Sequence, residues 1–98
     1  MFADARHSGD RWFTVLYRPA APGTGARLGL AVARKRVRKA SARNRIKRLV
    51  RESFRHHRRQ LGDVDVVVLV KPGIEATANR TLFKALERHW RRIAEDLS

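Results

Sequence analysis

RKRVRKASARNRIKRLVRESFRHHRR, residues 34–59, is the stretch on which the fold turns: half of it is Lys or Arg, and Glu52 is its only acid. An α-helix turns about 100° per residue. Measured from Ile46, the side chains of Leu49, Val50, Ser53, Phe54, His57 and Leu61 lie within roughly 80° of one direction. Asn44, Lys47, Arg48, Arg51, Arg55, Arg58 and Arg59 sweep round the other side, with Arg43 and Arg45 at its edges. The spacing predicts a helix with an apolar stripe turned to a core and a wide cationic face turned outward. Like charges at i,i+4, such as Lys47/Arg51 and Arg51/Arg55, repel by a few tenths of a kcal/mol per pair. A merely solvated helix interleaves Asp and Glu to relieve this. Here the relief is missing, which points to a polyanionic partner.

Outward from that helix the pattern changes period. Asp63–Lys71, with Val-Val-Val-Leu-Val at its centre, is apolar on both faces and reads as an interior strand between the stops Gly62 and Pro72-Gly73. Upstream, Trp12–Tyr17 is rich in aromatic and β-branched residues and reads as a strand, with Phe13, Val15 and Tyr17 on one face and Trp12, Thr14 and Leu16 on the other. The two prolines and two glycines of residues 19–25 suggest a hairpin loop to a second strand at Leu28–Ala33, antiparallel to the first; Gly29 would admit a close neighbour there. Ser41 is the expected N-cap of the basic helix and Gly62 its C-terminal stop. A last helix is expected from Asn79, its N-cap, to Asp96, with Leu82, Phe83, Leu86, Trp90, Ile93 and Leu97 at helical spacing and Arg80, Lys84, Arg88, Arg91 and Arg92 outside. His7-Ser8-Gly9-Asp10 reads as a turn. The order is β-β-α-β-α, an α+β sandwich of a small sheet covered by two main helices.

Ninety-eight residues make one domain with a single modest core. The formal net charge of +14 makes nucleic acid the leading partner. No apolar run is long enough to span a bilayer, and no secretory signal is visible. With no cysteine there are no disulfides or thiolate metal sites. The expectation is a cytoplasmic protein with no membrane association.

Catalytic groups are scarce. Asp63 and Asp65, two apart, are a weak candidate pair for a divalent ion because no third oxygen ligand lies near in sequence. Adjacent His56 and His57 point about 100° apart on a helix and cannot share one zinc, so neither a protein metal site nor protein catalytic residues are expected. Phosphate-binding groups abound instead: the planar guanidinium fits phosphate oxygens and stacks on bases. Asn44, between Arg43 and Arg45, suits a base edge or a 2′-hydroxyl as well as it suits bracing its neighbours. Phe13, Val15 and Tyr17 suit either a core or the floor of a groove in which bases stack.

The run Leu28–Arg55, and above all RNRIKRLVRE at residues 43–52, resembles the protein subunit of bacterial ribonuclease P. The resemblance extends over roughly residues 12–93. It implies a left-handed β-α-β crossover, as in the ribosomal-protein-S5-domain-2-like family, against the general right-handed preference. It implies an accessory RNA-binding subunit of a ribonucleoprotein endoribonuclease, in which a catalytic RNA removes the 5′ leader of precursor tRNA and, with its substrate, holds the Mg²⁺. On this resemblance Arg34, Lys35, Arg43, Asn44, Arg45, Lys47, Arg48, Arg51 and Arg55 face the RNA subunit, and a cleft between sheet and basic helix, lined by Phe13, Val15 and Tyr17, takes the single-stranded leader. The protein alone is expected to be monomeric. Only residues 1–11, with Phe2 as their one aromatic, precede the first strand, so most of the family's N-terminal extension is expected to be missing. The alternative is a non-catalytic ribosomal or RNA-chaperone protein that uses the same helix on many RNAs.

Overall fold

Val64–Val70 (β4) takes the centre of the sheet in the computed structural model, which describes residues 4–98. A strand that is apolar on both faces gains most from neighbours on both edges. The others are β1 (Arg6–Gly9), β2 (Phe13–Pro19) and β3 (Ala26–Ala31), and the order across the sheet is β1-β2-β4-β3. β1 pairs antiparallel with β2 and β2 antiparallel with β4, whereas β3 lies parallel to β4. Two helices, α1 (Ala40–Leu61) and α2 (Asn79–Leu97), and a 3₁₀ turn at Ile74–Ala76 complete the chain. The class is α+β, as the sequence indicated, and the parallel unit is β3-α1-β4.

Two expectations are corrected. His7 and Ser8 are not a turn but part of β1, whose hairpin with β2 is closed by Asp10: its Oδ1 accepts the backbone N–H groups of Trp12 and Phe13, at 2.8 Å each. Nor do β2 and β3 form a hairpin. Pro19 and Ala26 both lie opposite Val64 on the two sides of β4, so residues 20–25 bridge two strand spacings, roughly 10 Å. Asp63, at the entrance to β4, holds that bridge. Its carbonyl oxygen accepts from Ala20 N–H at 3.0 Å, and its carboxylate from Gly23 N–H at 3.1 Å and Gly25 N–H at 2.8 Å. Both glycines have positive φ, +86° and +72°, the conformation that lets the loop turn its N–H groups inward.

The core lies between one sheet face and the helices. Phe13, Val15 and Tyr17 of β2 stand beside Val70, Val68 and Val66 of β4, and onto them pack Ile46, Leu49, Val50 and Phe54 of α1 and Leu82, Leu86, Trp90 and Ile93 of α2. Phe54 and Trp90 meet edge to face, with centroids 5.7 Å apart, and Trp90 Nε1–H donates to the buried Ser53 Oγ at 2.9 Å. This is the stripe expected of α1; His57, at its margin, is half-buried with Nδ1 2.8 Å from the Ser53 carbonyl oxygen.

The opposite sheet face carries no helix. Its cross-strand rows are Leu16–Val67–Gly29 and Thr14–Leu69–Ala31, with Arg18–Asp65–Arg27 at one end. A Cβ at Gly29 would meet Val67 Cγ2 at an ordinary 3.4 Å, so the glycine leaves this face bare rather than admitting a tight neighbour.

Both helices take in the residue expected to cap them. α1 begins at Ala40 and α2 at Asn79, so the cap positions fall to Lys39 and Ala78, with no side-chain cap at either. Arg43, which can only donate, fastens the connector to α1 instead: its Nη1–H groups donate to the carbonyl oxygens of Val37 (3.0 Å) and Arg38 (2.7 Å). Val37, fully buried, anchors the connector that leads into the helix. α1 stops as expected at Gly62 (φ +70°), whose N–H donates to the Arg58 carbonyl oxygen.

Candidate nucleic-acid interface

α1 crosses the helical layer with its stripe inward, so the residues on its far side must face solvent. Asn44, Arg48, Arg51 and Arg55 are exposed and Lys47 is half-exposed; Arg34 and Lys35 are exposed on the connector. Their surroundings sort them into two groups. Lys47, Arg48, Arg51, Arg34 and Lys35 make no ion pair or hydrogen bond among the described residues. Arg55 donates to Glu52 Oε1 at 2.7 Å, and His56 Nε2 lies 3.1 Å from the same oxygen. The Arg55 hydrogen bond, then that of His56, holds the Glu52 carboxyl below its ordinary range.

Arg43 and Arg45 are turned to the protein itself. Arg43 braces the connector, as above. Arg45 reaches from α1 to the segment before α2: Nη1–H donates to Asn79 Oδ1 at 2.8 Å and Nη2–H to the Glu75 carbonyl oxygen at 3.1 Å, while both approach the Thr77 carbonyl at 3.4 Å. Both are half-buried. Sequence periodicity placed them at the edges of the cationic face but carries no signal for the carbonyl groups they reach, five and six positions away for Arg43 and 30 or more for Arg45.

Lys47, Arg48, Arg51 and Arg55 line a shallow depression of about 310 Å³ together with Asn44 and Glu52. Lys47, Arg48 and Arg51, without partners among the described residues and beside an acid already bonded to Arg55 and His56, leave positive charge on this surface that the protein does not compensate. Arg groups there can fork onto phosphate oxygens.

The cleft residues are corrected. Phe13 and Val15 have no exposed surface and Tyr17 has 5%. They face the helices because the strand's other side, not this one, is open. Tyr17 is anchored further: its hydroxyl donates to Asp96 Oδ2 at 3.0 Å, an atom that also accepts from Arg6 at 2.8 Å. Burial, then the Asp96 hydrogen bond, raises the Tyr17 pKa, and Arg6, then Tyr17, lowers that of Asp96.

The acids weighed as ion ligands have other partners. Asp63 holds the loop, and Asp65 lies 2.8 Å from Arg27 and 3.6 Å from Arg18, the Arg27 hydrogen bond keeping its carboxyl below the usual range. No group of three or more His, Asp or Glu is arranged to hold a metal among the described residues.

One polar cluster had no sequence signal. Ser8 and His89 are buried beneath the β1–β2 hairpin; His89 Nδ1 lies 2.7 Å from Ser8 Oγ and Nε2 lies 2.8 Å from Asp10 Oδ2. Arg92 donates to Ser8 Oγ at 2.6 Å. These contacts fit a neutral imidazole that donates from Nε2 to the carboxylate and accepts the Ser8 proton at Nδ1, leaving Ser8 Oγ to accept from Arg92. Burial accordingly lowers the His89 pKa, against the opposing pull of Asp10. The arrangement resembles a Ser-His-Asp relay, but Ser8 is sealed from any substrate, so it fastens the hairpin to α2.

The ribonuclease P family model matches residues 1–94. The chain belongs to the ribonuclease P protein family. It is 51% identical over 90 residues to the ribonuclease P protein component of Methylococcus capsulatus, covering 92% of this chain and 70% of that one. With the component of Thioalkalivibrio sulfidiphilus it shares 48% over 94 residues, covering 96% and 78%. The RNase P protein of Thermotoga maritima superposes with a TM-score of 0.76 at 29% identity, over 90% of this chain and 86% of that one. Membership in this family makes the chain an RNA-binding component of a ribonucleoprotein nuclease of tRNA processing. No helix of the described residues is long and apolar enough to cross a membrane.

Proposed function

We propose that this protein is the accessory subunit of a ribonuclease P in which a catalytic RNA cuts the 5′ leader from precursor tRNA. The observation that carries the reading is the division of labour on α1: Arg43 and Arg45 set the helix in place, and Lys47, Arg48 and Arg51 stand outward without partners. Arg34 and Lys35, exposed on the connector before α1, add further cations without partners among the described residues, and Asn44 supplies its neutral amide. The protein supplies charge neutralisation and placement rather than reacting groups. Its free cations offset the repulsion between two polyanions, the RNA subunit and its substrate, which lowers the concentration of divalent ion that the assembly needs. Mg²⁺ itself is held by RNA phosphates, since the carboxylates Asp63 and Asp65 are already committed to N–H and guanidinium donors.

The leader is assigned to the uncovered sheet face. Leu16, Val67 and Leu69 are only half-buried there and no helix lies over them, and Trp12 at the end of β2 carries the Arg11 guanidinium 5.6 Å from its ring centre. An apolar floor with cations at its border suits a single strand, whose bases cover the floor while its phosphates meet Arg or Lys. Reconstituted cleavage of precursor tRNA with a cognate bacterial RNA subunit at low Mg²⁺ tests the function. The protein should raise the rate well above that of RNA alone, and equal rates would refute the reading.

A further inference from the structure

Between the first turns of α1 and α2 lies a groove of about 550 Å³, within the roughly 300–1,000 Å³ usual for small-ligand sites. Its floor is apolar: Leu49 from α1 and the ring of Phe83 from α2. Of the two aromatic rings of α2, Trp90 is fully buried, whereas Phe83 is only partly covered and turns its remaining surface into this groove. Across the floor stand two primary amides, Asn44 and Asn79. Arg45 fixes one of them: because its guanidinium donates to Asn79 Oδ1, the Asn79 NH₂ group is left to donate elsewhere. The Asn44 amide is exposed and has no partner among the described residues. The groove shares Asn44, Arg48 and Glu52 with the cationic depression on the next turn of α1.

The two depressions differ in chemistry. To the shared Asn44, Arg48 and Glu52 the groove adds an aromatic face and a second amide, and the depression adds Lys47, Arg51 and Arg55. Side by side, they match the two halves of a nucleotide. A base inside an A-form stack hides its faces and its Watson–Crick edge, so only an unpaired, unstacked one can lie on the ring. We propose that this groove takes a single unpaired nucleobase of the catalytic RNA subunit, stacked on Phe83 with its edge against Asn44 and Asn79 and its phosphate at Lys47, Arg48 and Arg51. The RNA subunit rather than the leader is the source, because the groove opens in the helical layer, away from the sheet face assigned to the leader. The inference rests on the reading of α1 as the RNA-subunit surface.

Phe83→Leu, which keeps an apolar packing group but removes the ring, and Asn44→Ala, at an exposed position, are the test variants. Each full-length variant is bound to the RNA subunit, and the RNA is probed with a reagent that modifies unpaired base edges. The wild-type protein should shield one unpaired base, and both variants should leave it reactive. Phe83→Leu should also bind the RNA about five- to a hundredfold more weakly, with the salt dependence unchanged because no phosphate contact is lost. Shielding that persists in both variants, unchanged affinity of Phe83→Leu, or a shielded base in precursor tRNA instead would overturn the proposal. Failure of the wild-type protein to bind the RNA subunit would overturn the underlying reading of α1 instead.

Discussion

Arg45 and Arg48 sit three positions apart on one helix and carry the same side chain, yet one is tied to three acceptors on the segment leading into α2 and the other has none. The difference teaches that a cationic motif is not uniformly an interface. Arg43 and Arg45 tie α1 to the connector and to the start of α2; Lys47, Arg48 and Arg51 are presented outward from the helix so held. The sharpest way to break this comparison is Arg45→Ala, which strips donors from Glu75, Thr77 and Asn79. It should cost about 2 kcal/mol, since hydrogen bonds from a charged group contribute roughly 1.5–3 kcal/mol each when well buried and this one is half-exposed. The melting midpoint should fall by roughly 10 °C. A midpoint unchanged within a degree or two would show that the brace contributes nothing.

Arg48→Ala should do the reverse. The melting midpoint should stay put or rise slightly as repulsion from neighbouring cations is removed. Affinity for the RNA subunit should drop about tenfold at moderate salt. A large thermal effect from Arg48→Ala would mean that the partition between bracing and presenting residues is wrong.

The two faces of β2 extend the same contrast. Tyr17 is part of the core and of a hydrogen bond to Asp96, so Tyr17→Phe should lower stability by about 1 kcal/mol in chemical denaturation and leave discrimination between leadered and leaderless substrates intact. Leu16→Asp, on the uncovered face, should do the opposite, reducing that discrimination with little loss of stability. If Tyr17→Phe abolished leader discrimination, the assignment of faces would have to be exchanged.

The smallest expected effect concerns His89. A histidine whose folded pKa lies below its unfolded value takes up its proton more readily when unfolded. Stability is therefore retained above about pH 6.5 and declines as pH falls from there toward the folded pKa. The carboxylates Asp65, Glu52 and Asp96, all lowered by their cationic or hydroxyl partners, add a separate loss at more acid pH. Denaturation midpoints between pH 7.5 and 5.5 should show the first decline, and His89→Gln, which cannot be protonated there, should flatten it.

The elements built on periodicity were legible in the sequence: the α1 stripe from Ile46 to Leu61, the doubly apolar β4 and the Leu82–Ile93 seam of α2. Strand pairing was not. The order of β2 and β3 depends on Asp63 holding a loop across β4, a contact between residues about 40 positions apart that leaves no local pattern. The alternation of β2 was also read correctly, but alternation does not say which face the helices cover, so Phe13, Val15 and Tyr17 were assigned to the open side as readily as to the core. On the outer side of α1 the sequence overcounted the unpartnered cations, since Arg43, Arg45 and Arg55 have acceptors. The acceptors of Arg43 and Arg45 are backbone carbonyls, which every residue possesses, and one side-chain amide oxygen, that of Asn79. Ser8, Asp10, His89 and Arg92 went unread because they are scattered over more than 80 positions and meet only through the hairpin and α2.

The central claim is that the outward cations of α1 neutralise RNA phosphates, and the salt dependence of binding tests it most directly. Affinity for the RNA subunit should be measured across a range of salt for the wild-type protein and for a variant with Lys47, Arg48 and Arg51 all changed to Ala. Each phosphate contact contributes about 0.7–0.9 to the log-log slope, so the slope should become shallower by roughly 2 to 3 while the fold and melting midpoint are kept. An unchanged slope in a folded triple variant would contradict the account.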